Sequence, residues 1–311
     1  MERVIMQFEG RDRGPLFLVF AALHGNEHAG IRALQLVHKM LDVEHITNPG
    51  FRFRGRMVGI LGNIAATKEK VRFIDEDLNR IWNPERIEDI KKKPSDKCNV
   101  EERELKELLS EVHRQIAAYD PTELIVLDLH TTSSHGGIFV IPNEEKRSLE
   151  LAKNLHAPVI LNMLSGISGT TLHYFNKDFL RDVTTTTITF EAGQHDDTLS
   201  VNRCIAAIVN CLRSIKCVLP TDVENIHDQL LISYSRNLPK VSRLLYKHDV
   251  TSKDDFTMNP GFENFERIRR GRILGRDSNG AIIAESDGMI LMPLYQQKGN
   301  EGFFIIEQVS L

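Results

Sequence analysis

Several common protein classes are excluded by what this sequence has little of. Cysteine is scarce: Cys98, Cys204, Cys211 and Cys217 are the four among 311 residues. No two of them form a CxxC pair, and Cys204 and Cys211 stand seven apart in an apolar stretch, which suits packing inside a helix better than metal binding or a disulfide. Basic tracts are missing too. The net charge is −4 with both signs dispersed, and the KKKP at 91–94 sits among acidic residues as a solvated surface. A nucleic-acid partner is therefore not expected. No apolar run approaches the ~20 residues that cross a bilayer, so no membrane partner is expected either. The opening MERVIMQFEG carries charges where a signal peptide has its apolar segment, which predicts a soluble, cytoplasmic protein. No GxGxxG stands at a strand-to-helix turn, and GGIFVIP lacks a phosphate-loop pattern.

What is present is enough apolar residue, 41%, for a sizeable core. GPLFLVFAAL (14–23) is nearly continuously apolar, the pattern of a strand buried on both faces. FRGRMVGILGN (53–63), ELIVLDLH (123–130), GGIFVIP (136–142), PVILN (158–162) and TTTTITFEAG (184–193) read as further strands. Between them IRALQLVHKML, VEERELKELLSEVHRQIAA (100–118), SLELAKNLH (148–156) and LSVNRCIAAIVNCLRSI (199–215) carry apolar residues at helical spacing. Strands alternating with helices predict an α/β fold: a mixed, largely parallel central sheet with flanking helices. After VLPTD the helical periodicity fades. Short strands divided by SNG and SDG turns predict a smaller β-rich domain. The expected division is 1–220 and 221–311.

In open α/β sheets ligands bind beyond the carboxyl ends of strands. HGNEHAG, DLHTTS and TFEAGQH follow strands directly, and RFIDEDLNR lies about ten residues past one. His24 and Glu27 can face one point at a strand-to-helix turn. Imidazole and carboxylate both suit Zn²⁺, which takes three protein ligands in a catalytic site. His130, at another strand end, fits as the third, and Asp128 on the same strand face could orient a ligand. By itself an HxxE pair is more often a helix cap or part of a polar surface. His28 points elsewhere and is taken as a non-ligand. RFIDEDLNR reads either as a loop held by salt bridges or as a substrate clamp, in which Arg72 and Arg80 meet a carboxylate and a developing oxyanion and Asn79 adds a neutral donor. Glu191 is either a buried cap or a base facing a metal-activated water. His135, His156, His195 and His248 are scattered, with only His195 near enough in sequence to line the site. Trp82 is read as packing.

Taken in order, HGNE (24–27), RFIDEDLNR (72–80), DLHTT (128–132) and TFEAG (189–193) resemble the succinylglutamate desuccinylase/aspartoacylase family, within the zinc carboxypeptidase superfamily. The likeness runs from about residue 14 to 305. It implies hydrolysis of the amide of a small N-acyl amino acid at one zinc per chain. It further implies that His24, Glu27 and His130 are metal ligands and that Glu191 is the general base. Arg72 would polarise the carbonyl, and Asn79 and Arg80 would hold a substrate carboxylate. Thr131, His173 and Tyr295 are further candidate substrate contacts. Family members are often homo-oligomers, though no feature of this sequence yields a dimer. Two departures stand out. Leu172 follows the paired threonines where aspartoacylases carry arginine, and Met292 precedes Pro293 where they carry tyrosine. Both replaced groups read an acidic substrate side chain, so N-acetylaspartate is not the expected substrate. A metallocarboxypeptidase acting on short peptides and a non-catalytic binding protein are the alternatives.

Overall fold

The computed structural model describes residues 1–222, 226–251 and 253–310. The strands in chain order are β1 (Val4–Glu9), β2 (Asp12–Ala21), β3 (Arg54–Leu61), β4 (Glu123–Thr132), β5 (Phe139–Pro142), β6 (Val159–Leu161) and β7 (Thr184–Gln194), then β8 (Val241–Asp249), β9 (Thr257–Met258), β10 (Arg267–Ile268), β11 (Ile273–Asp277), β12 (Gly280–Ile283), β13 (Gly288–Leu291) and β14 (Glu301–Gln308). Eleven form one sheet in the order β1-β3-β2-β4-β7-β5-β6-β8-β14-β13-β10. β3, β2, β4 and β7 are mutually parallel, as are β5, β6 and β8. β5 runs antiparallel to β7. The mixed, largely parallel sheet and the antiparallel β-rich C-terminal part are as the sequence led us to expect.

The two-sided burial of β2 follows from its alternation. Phe17, Val19 and Ala21 face one apolar cluster, while Leu16, Leu18 and Phe20 face another. Helices Ala29–Thr47 and Leu199–Ser214 cover the first face, burying Leu34, Val37, Cys204 and Cys211. Helix Val100–Tyr119 covers the second with Leu105, Leu108, Leu109 and Val112. It starts at a reciprocal cap: the Asn99 side chain accepts from Glu102 N–H, and the Glu102 carboxylate accepts from Asn99 N–H. Trp82 is fully buried and packs against Phe175 and Tyr174. All four cysteines are buried and free.

β4 uses the same alternation for function. Ile125, Leu127 and Leu129 face the first cluster, whereas Leu124 and Val126 face the second, and their face continues into Asp128 and His130. On β7, Ile188, Phe190 and Ala192 take the first side, leaving Thr189 and Glu191 on the other. The ladder pairs Asp128 with Thr189 and His130 with Glu191.

Beyond residue 220 the sheet continues without a break, because β8 pairs with β6 and carries β14, β13 and β10 behind it. A separate three-stranded sheet, β12-β11-β9, is attached. Its hairpin turns at Ser278-Asn279, where the Asp277 carboxylate accepts from Asn279 N–H and Gly280 N–H. One helix, Ile226–Ser235, lies in the part expected to be β-rich. Among its residues only Leu231 is fully buried, so its sequence carries too little apolar period to announce a helix. It packs on Leu199–Ser214, with the Arg203 guanidinium 3.7 Å from the Tyr234 ring centre. β1 was also unforeseen. It pairs antiparallel to β3 at the sheet edge, where a charged alternating sequence is well tolerated.

Candidate metal and hydrolytic site

Because β2, β3, β4 and β7 are parallel, the segments after them gather at one edge of the sheet. After β2 the chain turns sharply: Ala22 has φ +53, in the left-handed region that non-glycine residues rarely occupy. His24 follows. Gly25 can only be glycine, since a Cβ there would lie 2.1 Å from the Ala66 carbonyl carbon. Gly25 N–H donates to Arg72 O, tying HGNE to the segment after β3. Gly193, in the EAG segment, has φ +99, and a Cβ there would meet the Arg203 guanidinium at 2.6 Å.

His24, Glu27 and His130 converge. One donor atom from each lies within 4.8 Å of the others, and all three residues are buried. His24 Nδ1 is 2.7 Å from Glu27 Oε1, and His130 Nδ1 is 3.0 Å from Glu27 Oε2. The Nε2 atoms point the other way: His24 Nε2 lies 3.1 Å from Asp77 Oδ1, and His130 Nε2 lies 3.0 Å from Asp128 Oδ2. An imidazole that donates Nε2–H to a carboxylate keeps its lone pair on Nδ1. Both lone pairs then face carboxylate oxygens at hydrogen-bond distance, which requires positive charge between them. A proton or a metal cation can supply it. The charge balance points the same way, because Glu27, Asp77, Asp128 and Glu191 are buried and Arg72 and Arg80 are the only Lys or Arg lining the cavity among the described residues. These residues fit a divalent cation.

The shifts in acidity share that origin. Burial works to raise the Glu27 carboxyl, yet His24 and His130 hold it well below the usual range. Burial likewise opposes ionisation of Asp77, but Arg72, His24 and Arg80 keep it well below. For His130 burial disfavours the charged form, while Asp128 and Glu27 together raise it well above an ordinary histidine. Burial pushes the Glu191 carboxyl up to about 7, with Glu27 adding to the push and His130, His24 and Arg72 pulling back. Glu191 Oε2 is buried and has no hydrogen-bond partner, as befits a group that handles a proton.

The sequence-derived candidates fare differently. Arg72 donates from Nε and Nη2 to Asp77 Oδ2 at 3.2 and 2.9 Å, and its Nη1 is 3.8 Å from Glu27 Oε1. Asn79 Oδ1 accepts from Thr171 N–H. Thr131 N–H donates to Glu27 Oε2 at 2.9 Å, and the Thr131 hydroxyl meets His195 Nδ1 at 2.7 Å. Arg80 is engaged: its Nε and Nη2 donate to Glu301 at 3.0 and 2.7 Å. His24, Glu27, Arg72, Asn79, Arg80, His130, Thr131 and Glu191 line one cavity, but His173 and Tyr295 do not. Met292, Leu294 and Gln296 line it, and Tyr295 between them turns away. Its hydroxyl instead donates to Asn259 O and accepts from Phe262 N–H. His173 accepts through Nδ1 from Thr170, while its neighbour Leu172 faces the cavity. His28 is exposed.

Two carboxylates that hold cavity-lining side chains escaped sequence reasoning. Asp77 lies in the acidic run between the arginines, which gave only a loop salt bridge; its position two residues before Asn79 was the available signal. Glu301 lies 221 residues from Arg80, and nothing local marks it.

A family model, the succinylglutamate desuccinylase/aspartoacylase catalytic domain, matches residues 13–213. The chain belongs to the succinylglutamate desuccinylase/aspartoacylase family. A succinylglutamate desuccinylase from Pseudomonas putida is 25% identical over 299 residues, covering 92% of this chain and 80% of that protein. An aspartoacylase from Xenopus tropicalis is 27% identical over 129 residues, 41% of this chain and 37% of the relative. Among solved structures, murine aminoacylase 3 superposes with a TM-score of 0.62 at 18% identity, covering 96% of this chain and 97% of that one. A family protein from Rhodobacter sphaeroides gives 0.64 at 15% identity, with 96% and 86% covered. At these identities the two structures speak for the fold. Among the described residues, no helix is long and apolar enough to cross a membrane.

Proposed function

We propose that this protein hydrolyses the amide bond of a small N-acyl amino acid, using one zinc ion per chain held by His24, Glu27 and His130. The observation that carries this reading is the pair of Nδ1 atoms turned onto one carboxylate, with both Nε2 atoms already taken by Asp77 and Asp128. Two imidazoles and a carboxylate form a donor set that zinc favours over harder ions. Zinc bound there would supply a Lewis acid that polarises a carbonyl and acidifies a water.

The chain's own groups do the rest. Glu191 accepts a proton from water as its oxygen adds to the amide carbon, then delivers that proton to the nitrogen as the C–N bond breaks. The products are the free carboxylic acid and the amine. Arg72, pinned by Asp77, presents a guanidinium to the carbonyl oxygen as negative charge grows there, a stabilisation typically worth about 3–4 kcal/mol when the donor is preorganised. Asn79 and Arg80 are the groups placed to receive a substrate carboxylate, which for Arg80 means displacing Glu301. Thr131 fixes Glu27 through its N–H. The C-terminal part, expected as 221–311, shares the central sheet and would wall the cleft, limiting substrate length.

The test uses protein of measured zinc content and a panel of N-acetyl and N-succinyl amino acids beside short peptides. Release of free amino acid from the N-acyl compounds is expected. Glu191→Gln should cut kcat by about 10²–10⁴ while zinc stays near one per chain. Glu191 must be ionised to act, so kcat/KM should fall as pH drops through an acidic limb. A cation beside Glu191 lowers its pKa, which places that limb at or below about 7, and the Gln variant should lose it. An active Glu191→Gln protein rejects the assignment. Turnover of peptides alone makes the protein a carboxypeptidase, and zinc-loaded protein inert on both sets makes it a binding protein.

A further inference from the structure

The cavity has a second end that hydrolysis of the amide does not use. There Met163, Leu164, Ile167, Leu172, Met292 and Phe304 line it, all belonging to one hydrophobic cluster. Arg72 and Arg80 are the only Lys or Arg side chains lining the cavity among the described residues, and each already has a carboxylate. Arg72 is on Asp77, and Arg80 is on Glu301 through two nitrogens. A substrate with one carboxylate can reach Arg80 by exchanging with Glu301. A substrate with two would leave the second among aliphatic carbon and neutral side chains such as Ser133, Thr170 and Gln296, with no Lys or Arg to pair it, and an unpaired buried charge is costly.

The apolar wall is built into the site. Met292 has φ +52, a conformation that costs energy and persists only where neighbours enforce it. Its N–H donates to Asn264 Oδ1 at 2.7 Å, and Asn264 Nδ2 donates to the Thr132 hydroxyl at the end of β4. Leu172 sits in the turn Thr171–Tyr174. That turn is fixed to the reactive end by the Thr171 hydroxyl, which donates to Asp128 Oδ2 at 2.6 Å, and by Thr171 N–H, which donates to Asn79 Oδ1. The strand that orients His130 therefore also positions the wall.

We infer that the cavity selects a monocarboxylic N-acyl substrate bearing an apolar group, and that Leu172 and Met292 are the residues that exclude dicarboxylic ones. This rests on the amide-hydrolase reading. The apolar group can belong to the amino-acid side chain or to the acyl chain, and the test separates them.

Zinc-loaded wild-type protein would be assayed with N-acetyl-leucine, N-hexanoyl-glycine, N-acetylaspartate and N-succinylglutamate. One of the first two should exceed both N-acetylaspartate, with two carboxylates, and N-succinylglutamate, with three, in kcat/KM by about 100-fold, the upper range for discrimination by an apolar pocket. The better of them tells which side carries the apolar group. Leu172→Arg should shrink that ratio at least about tenfold, with thermal melting checked to establish folding. N-acetylaspartate or N-succinylglutamate turned over as well as the apolar compounds by wild-type protein overturns the inference and leaves the hydrolase reading standing. Should none of the four be cleaved, the hydrolase reading fails instead. Calorimetric binding of leucine, hexanoate, aspartate and succinate then decides selectivity: tighter binding of the first pair sustains it, and tighter binding of the second pair overturns it.

Discussion

The two ends of this cavity are built on different principles. At the reactive end a run of buried contacts links Arg72, Asp77, His24, Glu27, His130, Asp128 and Thr171, each group held by its neighbour. Along the apolar wall six aliphatic or aromatic side chains line the cavity and would meet a substrate only by shape. A polar chain in a dry site is over-determined, since removing one member leaves another charged and unpaired. An apolar wall tolerates exchange of volume for volume. Chemistry is thus fixed where partners are obligatory, and specificity is free to change where they are not.

Three substitutions would break or sharpen that contrast. The largest effect is expected for His130→Ala. Zinc content should fall well below one per chain, with amidase activity lost along with it. Retention of a full equivalent of zinc would show that Nδ1 of His130 is not a ligand. Asp77→Asn comes next. It keeps the shape but weakens the hold on His24 and Arg72, so zinc affinity should drop about 10–100-fold, read by competition with a chelator. Unchanged affinity would break the picture of linked partners. The smallest effect is expected at the far end. Met292→Leu nearly preserves volume and should cost under about 1.5 kcal/mol of stability, measured by urea unfolding, with zinc affinity unaltered. A change in zinc affinity there would mean the two ends are coupled.

Particular residues show how far local pattern reaches. The apolar alternation in 14–23 and the helical period in 100–118 announced their elements, because burial on one face leaves a period of two or 3.6. HGNE, DLH and FEAG stood out because each closes an apolar strand. Tyr295 shows the limit. Its proximity to Pro293 suggested a cavity contact, but its hydroxyl is held by Asn259 O and Phe262 N–H instead. Helix Ile226–Ser235 was silent because little of it is buried.

Order along the chain established the layered fold and the identity of the groups that meet at the sheet's edge, since both follow from short-range periodicity and from strand ends. Only the tertiary structure decided which acid serves which base. Asp77 lies 53 residues from His24 and Glu301 lies 221 from Arg80. At such separations pairing is set by strand register and loop packing, which leave no periodic mark on the chain.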